Sequence, residues 1–506
     1  MHLVAFGVLL SSLMGGVGAT IPAPAPQPES PAPVQNPPPA NPAKAKFVRA
    51  SRQDLAAAYL RLESTLARVT MTPEQTVEVN RRFDQASIAF FSGQYSGAVR
   101  TLSEIVRERE GLVLSAGLAV AECLQVRPSH AVVHPGNKDS VRITLEPMFP
   151  PGGTRAEASV DVELVLRGVN HELAWSRAVS IPLVGGVPQA VEIEAAALVA
   201  QWPRGDYTLA VKAGEVTIEK CRLSVADRSM DEARKELLER LTGVSPEAGA
   251  EVVRAAAIAK ARVECLGDDV DTKSSRRFLA ETVKLAGAVS GEIDGILAGK
   301  NSYRLVAGDL WRPVGGVPCR VYAPRSALAR SSPMPLLVAF HGAGGDESMF
   351  FEGYGAGAIK ALADKHGFVV VCPQTERASA PGAFDKLVEE IAADYPIDPR
   401  RIYVLGHSMG AAATASLAAS RGSRIAAACC IAGSAWGSTP STGRRAPVLT
   451  IAAELDPLFG IARARKAAES IKPPDEFVEV KGYGHTLVVS SRLAEAVEWL
   501  VDRSLE

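Results

Sequence analysis

The sequence predicts a multidomain chain in which a helical region, an antiparallel β-sandwich and a helical linker precede a C-terminal α/β region with a mostly parallel sheet. Three observations carry this. Apolar residues recur at helical spacing over residues 51–115, alternate with polar ones over 124–226, and return to helical spacing over 229–300. Short, largely apolar runs then appear at 335–340, 401–405, 447–453 and 477–480, as expected of strands buried on both faces. Finally, Gly406-His407-Ser408-Met409-Gly410 separates one of those runs from an Ala-rich segment, 411–419, which is the pattern of a strand, a sharp turn and a helix.

At 506 residues the chain has room for about three domains. Lys and Arg number 55 and Asp and Glu 56, a net charge of -1, which speaks against a nucleic acid or an anionic membrane surface as partner. Leu3 to Met14 is apolar but too short to span a membrane, and Val17-Gly18-Ala19 offers small residues for cleavage. Residues 1–19 therefore read as a signal peptide, the product being secreted or periplasmic with no stable membrane span. No Lys or Arg precedes Lys44, so the alternative is an anchor left uncleaved. Residues 20–46 are a Pro/Ala-rich linker; Pro22, Pro24, Pro26, Pro28, Pro31 and Pro33 exclude a helix or central strand and leave an extended tether.

Leu55, Tyr59, Leu62 and Leu66 mark the first helix of the 51–115 region. Phe83, Ile88, Ala89, Phe90, Gly93, Tyr95, Ala98 and Leu102 then resemble a single tetratricopeptide-type hairpin. Such a unit cannot bury its face alone, so a small helical bundle is expected. Over 124–226, Val141–Leu145, Ala158–Leu166, Val191–Ile193 and Tyr207–Val211 alternate and are punctuated by Gly and Pro, which suggests a sandwich of immunoglobulin or fibronectin type. It could contact carbohydrate or protein, although Trp175 and Trp202 read as core residues and Arg204-Gly205-Asp206 as a turn. Leu237, Leu238, Leu241, Leu279, Val283, Leu285 and Ile293 predict a helical pair within 229–300. The seven cysteines show no metal-ligand spacing and read as buried apolar residues; export would permit one or two disulfides among them.

The chemistry-bearing residues lie in 302–506. Pro335–Phe340 ends in His341-Gly342-Ala343-Gly344-Gly345, a turn able to aim backbone N–H groups at an oxyanion. Asp456 lies just past the run Pro447–Ala453, and His485 follows the last run in Gly482-Tyr483-Gly484-His485. The chain order Ser408, Asp456, His485 is that of the α/β-hydrolases and not of the chymotrypsin or subtilisin types. Glu454 is a competing acid, but Asp456 lies past the strand end, where its side chain can turn toward a histidine. His341 and His407 are expected to be structural. With Leu387–Ile391 and Tyr395-Pro396-Ile397-Asp398-Pro399-Arg400-Arg401 leading into the Ser408 turn, residues 302–506 resemble the esterase and polyhydroxybutyrate-depolymerase-like group of α/β-hydrolases, which includes feruloyl and acetyl-xylan esterases. The resemblance implies Ser408 as nucleophile, Asp456 and His485 as its partners, the N–H groups of Met409 and Ala343 as oxyanion hole, and neither metal nor cofactor. Two departures are Ala343, where relatives often carry Cys, and Ala411, where they often carry Gly.

The function expected is therefore an exported serine hydrolase that cleaves carboxylic esters, with a bulky, polymeric or carbohydrate-linked ester as substrate because no long lid insertion is seen. Two rivals stand beside it. A serine peptidase of the prolyl-oligopeptidase type shares the catalytic region but needs a β-propeller upstream, for which the strand signal is too short. A binding or adhesion protein with an inert hydrolase region would be indifferent to the loss of Ser408.

Overall fold

In the computed structural model, the described residues are 46–506 apart from 153–157, 196–201, 331, 434–443, 470–472 and 474. The expected signal peptide and nearly all of the linker thus lie outside the described residues. Helices α1 (Arg52–Leu66), α2 (Pro73–Phe91) and α3 (Tyr95–Arg109) open the chain. Ser51 with Asp54, and Thr72 with Gln75, form capping boxes at the starts of α1 and α2, and Pro73 takes the first helical position of α2. Leu62, Val79, Phe83, Ala86, Ala98, Leu102, Ile105 and Val106 form one buried cluster that also contains Leu487, from the far end of the chain. The face that a lone helical hairpin cannot cover is thus closed by α1 and by the C-terminal region.

Helix α4 (Ala116–Cys123) runs directly into β1 (Leu124–Pro128). Strands β2 (Val132–Val133), β3 (Arg142–Pro147), β4 (Ser159–Gly168), β5 (Leu173–Val184), β6 (Val187–Pro188), β7 (Val191–Glu194), β8 (Gly205–Ala213) and β9 (Val216–Val225) follow. They form a three-stranded sheet, β1-β3-β7, and a six-stranded sheet, β2-β9-β8-β4-β5-β6. Every pairing is antiparallel except β2 with β9. Val126, Ile143 and Ile193 from one sheet, Leu164, Leu209 and Leu223 from the other, and Leu118 of α4 share a single core. Trp175 and Trp202 pack edge to face at 5.4 Å, and Asp206 accepts the N–H groups of Val283 (2.9 Å) and Lys284 (3.0 Å), which caps a later helix.

That later stretch is more helical than the expected pair. It holds α5 (Met230–Leu241), α6 (Gly249–Val263) and α7 (Thr282–Leu297), with a short turn of helix at Ser275–Phe278 between the last two. Leu279 sits just past that turn, so the apolar spacing that joined it to Val283 spans a break and not one helix.

The C-terminal sheet contains β10 (Gly308–Val314), β11 (Val317–Ala323), β12 (Met334–Phe340), β13 (Val369–Pro373), β14 (Ile397–His407), β15 (Ala427–Ile431), β16 (Val448–Ala453) and β17 (Glu476–Val480). Their order is β10-β11-β13-β12-β14-β15-β16-β17, and all pairings from β13 onward are parallel. The crossovers place α8 (Tyr354–His366) and α11 (Leu487–Val501) on one face and α9 (Pro381–Asp394) and α10 (Met409–Ser420) on the other. Successive β12 residues divide between these layers: Leu336, Val338 and Phe340 pack with Phe384 and Leu417, and Leu337 and Ala339 with Ile359 and Val488. All seven cysteines are buried free thiols, so burial is their role and no disulfide joins them. Residues 46–506 form one compact unit, and among the described residues no helix is long and apolar enough to cross a membrane.

Candidate active site

Strand β14 delivers the chain to Ser408 and α10 carries it away. The turn between them is so sharp that Ser408 lies at φ 55°, ψ −115°, a conformation that costs a non-glycine residue about 1–3 kcal/mol. Its N–H donates to the Ile431 carbonyl of β15 at 3.0 Å, which fixes the turn to the neighbouring strand. Gly410 makes the turn possible, because a Cβ there would stand 2.1 Å from the Phe340 carbonyl oxygen. Ala411 is accommodated by Gly433, whose missing side chain leaves room for the Ala411 methyl.

The structure brings the three separated residues into one hydrogen-bonded chain. His485 Nε2 lies 2.9 Å from Ser408 Oγ, and His485 Nδ1 lies 2.9 Å from Asp456 Oδ2. Asp456 Oδ1 in turn accepts the N–H groups of Leu458 (2.8 Å) and Phe459 (2.9 Å). All three side chains are buried. Burial works to raise the Asp456 pKa, but the hydrogen bond and charge of His485 and the two amides outweigh it and hold the carboxyl below its ordinary value. Glu454 does not join this chain; its Oε2 accepts the Gly482 N–H at 2.8 Å. An ionised acid behind Nδ1 keeps a proton there, which leaves Nε2 free to accept the Ser408 proton.

The two other histidines near the site, His341 and His407, hold backbone. His407 Nε2 donates to the His485 carbonyl at 2.9 Å, and its Nδ1 accepts from the Tyr354 hydroxyl at 2.8 Å. Burial, reinforced by the charge of His485, pushes the His407 pKa down to about 3, so this ring stays neutral. His341 Nδ1 donates to the Gly342 carbonyl (2.8 Å) and its Nε2 accepts the Thr375 N–H (3.1 Å), which shapes the loop bearing Ala343. That loop abuts the turn: a Cβ on Gly342 would stand 3.3 Å from the Ser408 Cβ. Met409 opens α10, with its amide at the positive end of the helix dipole. Met409 thus follows Ser408 directly, and the loop bearing Ala343 adjoins it through Gly342. Among the described residues no cluster of His, Cys, Asp or Glu is arranged to hold a metal ion.

Residues 336–500 match the model of the alpha/beta hydrolase family. The C-terminal region has the α/β-hydrolase fold. Among solved structures, an S-formylglutathione hydrolase from Staphylococcus aureus is similar at 16% identity over 39% of this chain and 95% of its own, with a TM-score of 0.33. The feruloyl esterase module from Clostridium thermocellum, complexed with sinapinate, gives 14% identity over 37% and 83%, with a TM-score of 0.32. An acetyl xylan esterase from Aspergillus awamori gives 15% over 37% and 94%, with a TM-score of 0.30. No curated protein matches the chain.

The hydrolase region is covered by residues that the sequence reading had not placed near it. The loop between Gly433 and Ala446, read as too short for a lid, lies mostly outside the described residues. Among the described residues, cover comes from the N-terminal helices. Asn80 Oδ1 of α2 accepts the Gly484 N–H at 2.8 Å, and the Asp84 carboxylate accepts the His485 N–H at 3.2 Å to each oxygen. Gly484 allows this approach, since a Cβ there would meet Asp84 Oδ2 at 2.1 Å. Further along α2, Phe90 and Phe91 stand against Gly344 in the Ala343 loop, and Phe90 stacks on Tyr95 at 5.5 Å. Arg52 of α1 donates to the Gly344 carbonyl at 3.0 Å and pairs with Asp346 at 3.2 Å. Glu63 of α1 accepts the Gly355 N–H (3.1 Å) and the Ser490 hydroxyl (2.8 Å).

Asp84 carries an electrostatic cost for this placement. Burial raises its pKa from 3.8 to about 6; the Asp456 charge adds to the rise, against the His485 N–H and the charge of that ring. Because the native pKa lies above the unfolded one, the folded state is favoured most below pH 4 as far as this group is concerned. That advantage is lost as pH climbs through about 6. The shift of about two units corresponds to about 3 kcal/mol. Asp84→Asn is therefore expected to gain stability over the parent between about pH 4 and pH 7. Urea midpoints of both proteins across that range check it; a constant gap would show that Asp84 does not titrate there.

Proposed function

We propose that this chain is a serine hydrolase that cleaves carboxylic esters through an acyl-enzyme, with Ser408 as nucleophile, His485 as base and Asp456 as the acid that orients it. The observation that carries the reading is the unbroken chain from Asp456 Oδ2 through His485 to Ser408 Oγ, at 2.9 Å on each side. In this mechanism His485 Nε2 takes the Ser408 proton as Oγ adds to the ester carbonyl. The amides of Met409 and Ala343 stabilise the tetrahedral oxyanion. Collapse breaks the bond to the alkoxy oxygen, which leaves with the proton from Nε2. A water, deprotonated by the same nitrogen, then releases the acid and regenerates Ser408. Export through residues 1–19 and a tether over 20–46 belong to the same proposal.

Two substrate classes are set against each other. The sequence suggested a bulky or carbohydrate-linked ester at an open site. The aromatic edge of Phe90 and Phe91 beside Gly344 favours a small or flat acyl group on that side of Ser408. The test is hydrolysis of aryl esters from acetyl to long acyl, with feruloyl included and the Ser408→Ala protein as blank. Turnover confined to the parent and strongest for acetyl or feruloyl esters is expected. A preference for long aliphatic chains would remove both substrate classes, and equal rates for the two proteins would remove the mechanism. The described upstream region, with two sheets and two groups of helices, lacks the repeated four-stranded blades that the peptidase alternative needs.

A further inference from the structure

We propose that Asp84, with Asn80 beside it, is a positioning residue for His485, so that helix α2 is a working part of the active site and not a separate module. The segment between β17 and α11 that carries His485 has little regular structure to fix it, and its buried backbone groups must find partners elsewhere. Three of these groups find them in buried side chains. The Gly484 N–H goes to Asn80, the His485 N–H to Asp84, and the His485 carbonyl to the ring of His407. Two of the three come from one face of α2, four residues apart, and the His485–Asp84 bond joins residues 401 apart in the chain. The helix that supplies them is itself seated by Val79 and Phe83 in a cluster with Leu487, two residues beyond His485.

The consequence for chemistry is geometric. With its N–H and carbonyl both held, the His485 main chain cannot swing, and the ring keeps Nε2 within 2.9 Å of Ser408 Oγ. Loss of the Asp84 acceptor frees one end. Displacement of a reacting group by about an ångström costs on the order of a hundredfold in rate. A residue that only stabilised the fold would change the amount of active protein and leave kcat per active site intact.

The inference rests on the serine-hydrolase reading for its kinetic arm, so the test carries a second arm that does not. In the full chain, Asp84→Ala is compared with Asp84→Asn, which keeps an acceptor oxygen. The readouts are kcat and KM on an aryl acetate, the rate of fluorophosphonate labelling of Ser408, and the low-field proton resonance of His485 Nδ1. In Asp84→Ala, kcat and the labelling rate are expected to fall about a hundredfold, KM to stay within a few-fold, and the low-field proton to vanish. Asp84→Asn should keep the resonance and most of the rate. Should Asp84→Ala fail to fold, Asn80→Leu removes the acceptor for the Gly484 N–H and makes the same comparison. A folded Asp84→Ala protein with parental kcat, labelling and resonance overturns the proposal. If the parent itself neither turns over ester nor takes label, the hydrolase reading alone falls. The resonance still decides the positioning role, supporting it if lost in Asp84→Ala and overturning it if kept.

Discussion

Replacing Ser408 with alanine is expected to lower kcat on a simple aryl ester by about 10⁶-fold, and Asp456→Asn by about 10⁴-fold, with both proteins folded as the parent. The two losses differ because the two atoms do different things. Without Ser408 Oγ no acyl-enzyme forms, and what is left is the stabilisation that oxyanion donors offer to a water attack. The Asp456 substitution acts through the tautomer. Asp456 Oδ1 already accepts two amides, from Leu458 and Phe459. An asparagine there would keep its oxygen on those amides and turn its NH₂ toward His485 Nδ1. Nδ1 must then accept, the ring proton moves to Nε2, and Nε2 can no longer take the Ser408 proton. The double variant should be no slower than Ser408→Ala alone, because the members act as one unit. Steady-state rates and loss of the low-field proton in Asp456→Asn check this. An Asp456→Asn protein with parental kcat would show that Asp456 does not set the tautomer.

The largest expected effect on stability lies away from the site, at Asp394. This carboxylate is fully buried at the end of α9 and takes four donors. They are Arg312 Nη1 of β10 at 2.6 Å, Arg254 Nη2 of α6 at 2.6 Å, Arg254 Nη1 at 3.3 Å, and Asn301 Nδ2 at 3.0 Å. Arg312 is itself only 1% exposed. Asp394→Ala leaves that guanidinium buried without its counter-charge, which typically costs about 3–5 kcal/mol. Arg254, at 20% exposed, can turn partly to solvent and contributes less. Adding Arg312→Met to an Asp394→Leu protein should recover much of the loss, since an apolar pair of similar volume carries no desolvation penalty. Thermal or urea unfolding of the full chain measures both. A small loss in Asp394→Ala would mean that water reaches Arg312. Because Arg254 belongs to the linker helices, the same variant tests whether those helices and the hydrolase region unfold together.

Much of the hydrolase region was legible because its signals are local. Strands buried on both faces read as largely apolar runs, and a nucleophile-type turn needs Gly406 and Gly410 at fixed offsets from Ser408. Asp456 could be preferred to Glu454 from its place past the strand, and the two acids do bond different partners. Asn80 and Asp84 were not legible. On α2 they are short polar residues beside the apolar stripe of Val79 and Phe83, indistinguishable in one sequence from a solvated helix edge. The available clue was the helical hairpin itself. A lone unit with an uncovered face demands a partner, and the partner turned out to be the C-terminal region. The number of helices over 229–300 was missed for another reason: apolar spacing continues across the break after Phe278, so periodicity alone could not see it.

The bond between Asp84 and His485 also has a meaning in time. At ordinary synthesis speeds of about 5–20 residues per second, the roughly 400 residues between them take on the order of 20–80 s to make. Through that interval α2 has been translated but its C-terminal partner has not, and the part of the apolar stripe destined for Leu487 lacks that cover. A nascent chain therefore carries part of the α2 stripe uncovered until the segment around Leu487 docks. On the proposed positioning role, a product in which α2 is separated from the segment around His485 would lose these hydrogen bonds, so the site would assemble only once both segments have been made.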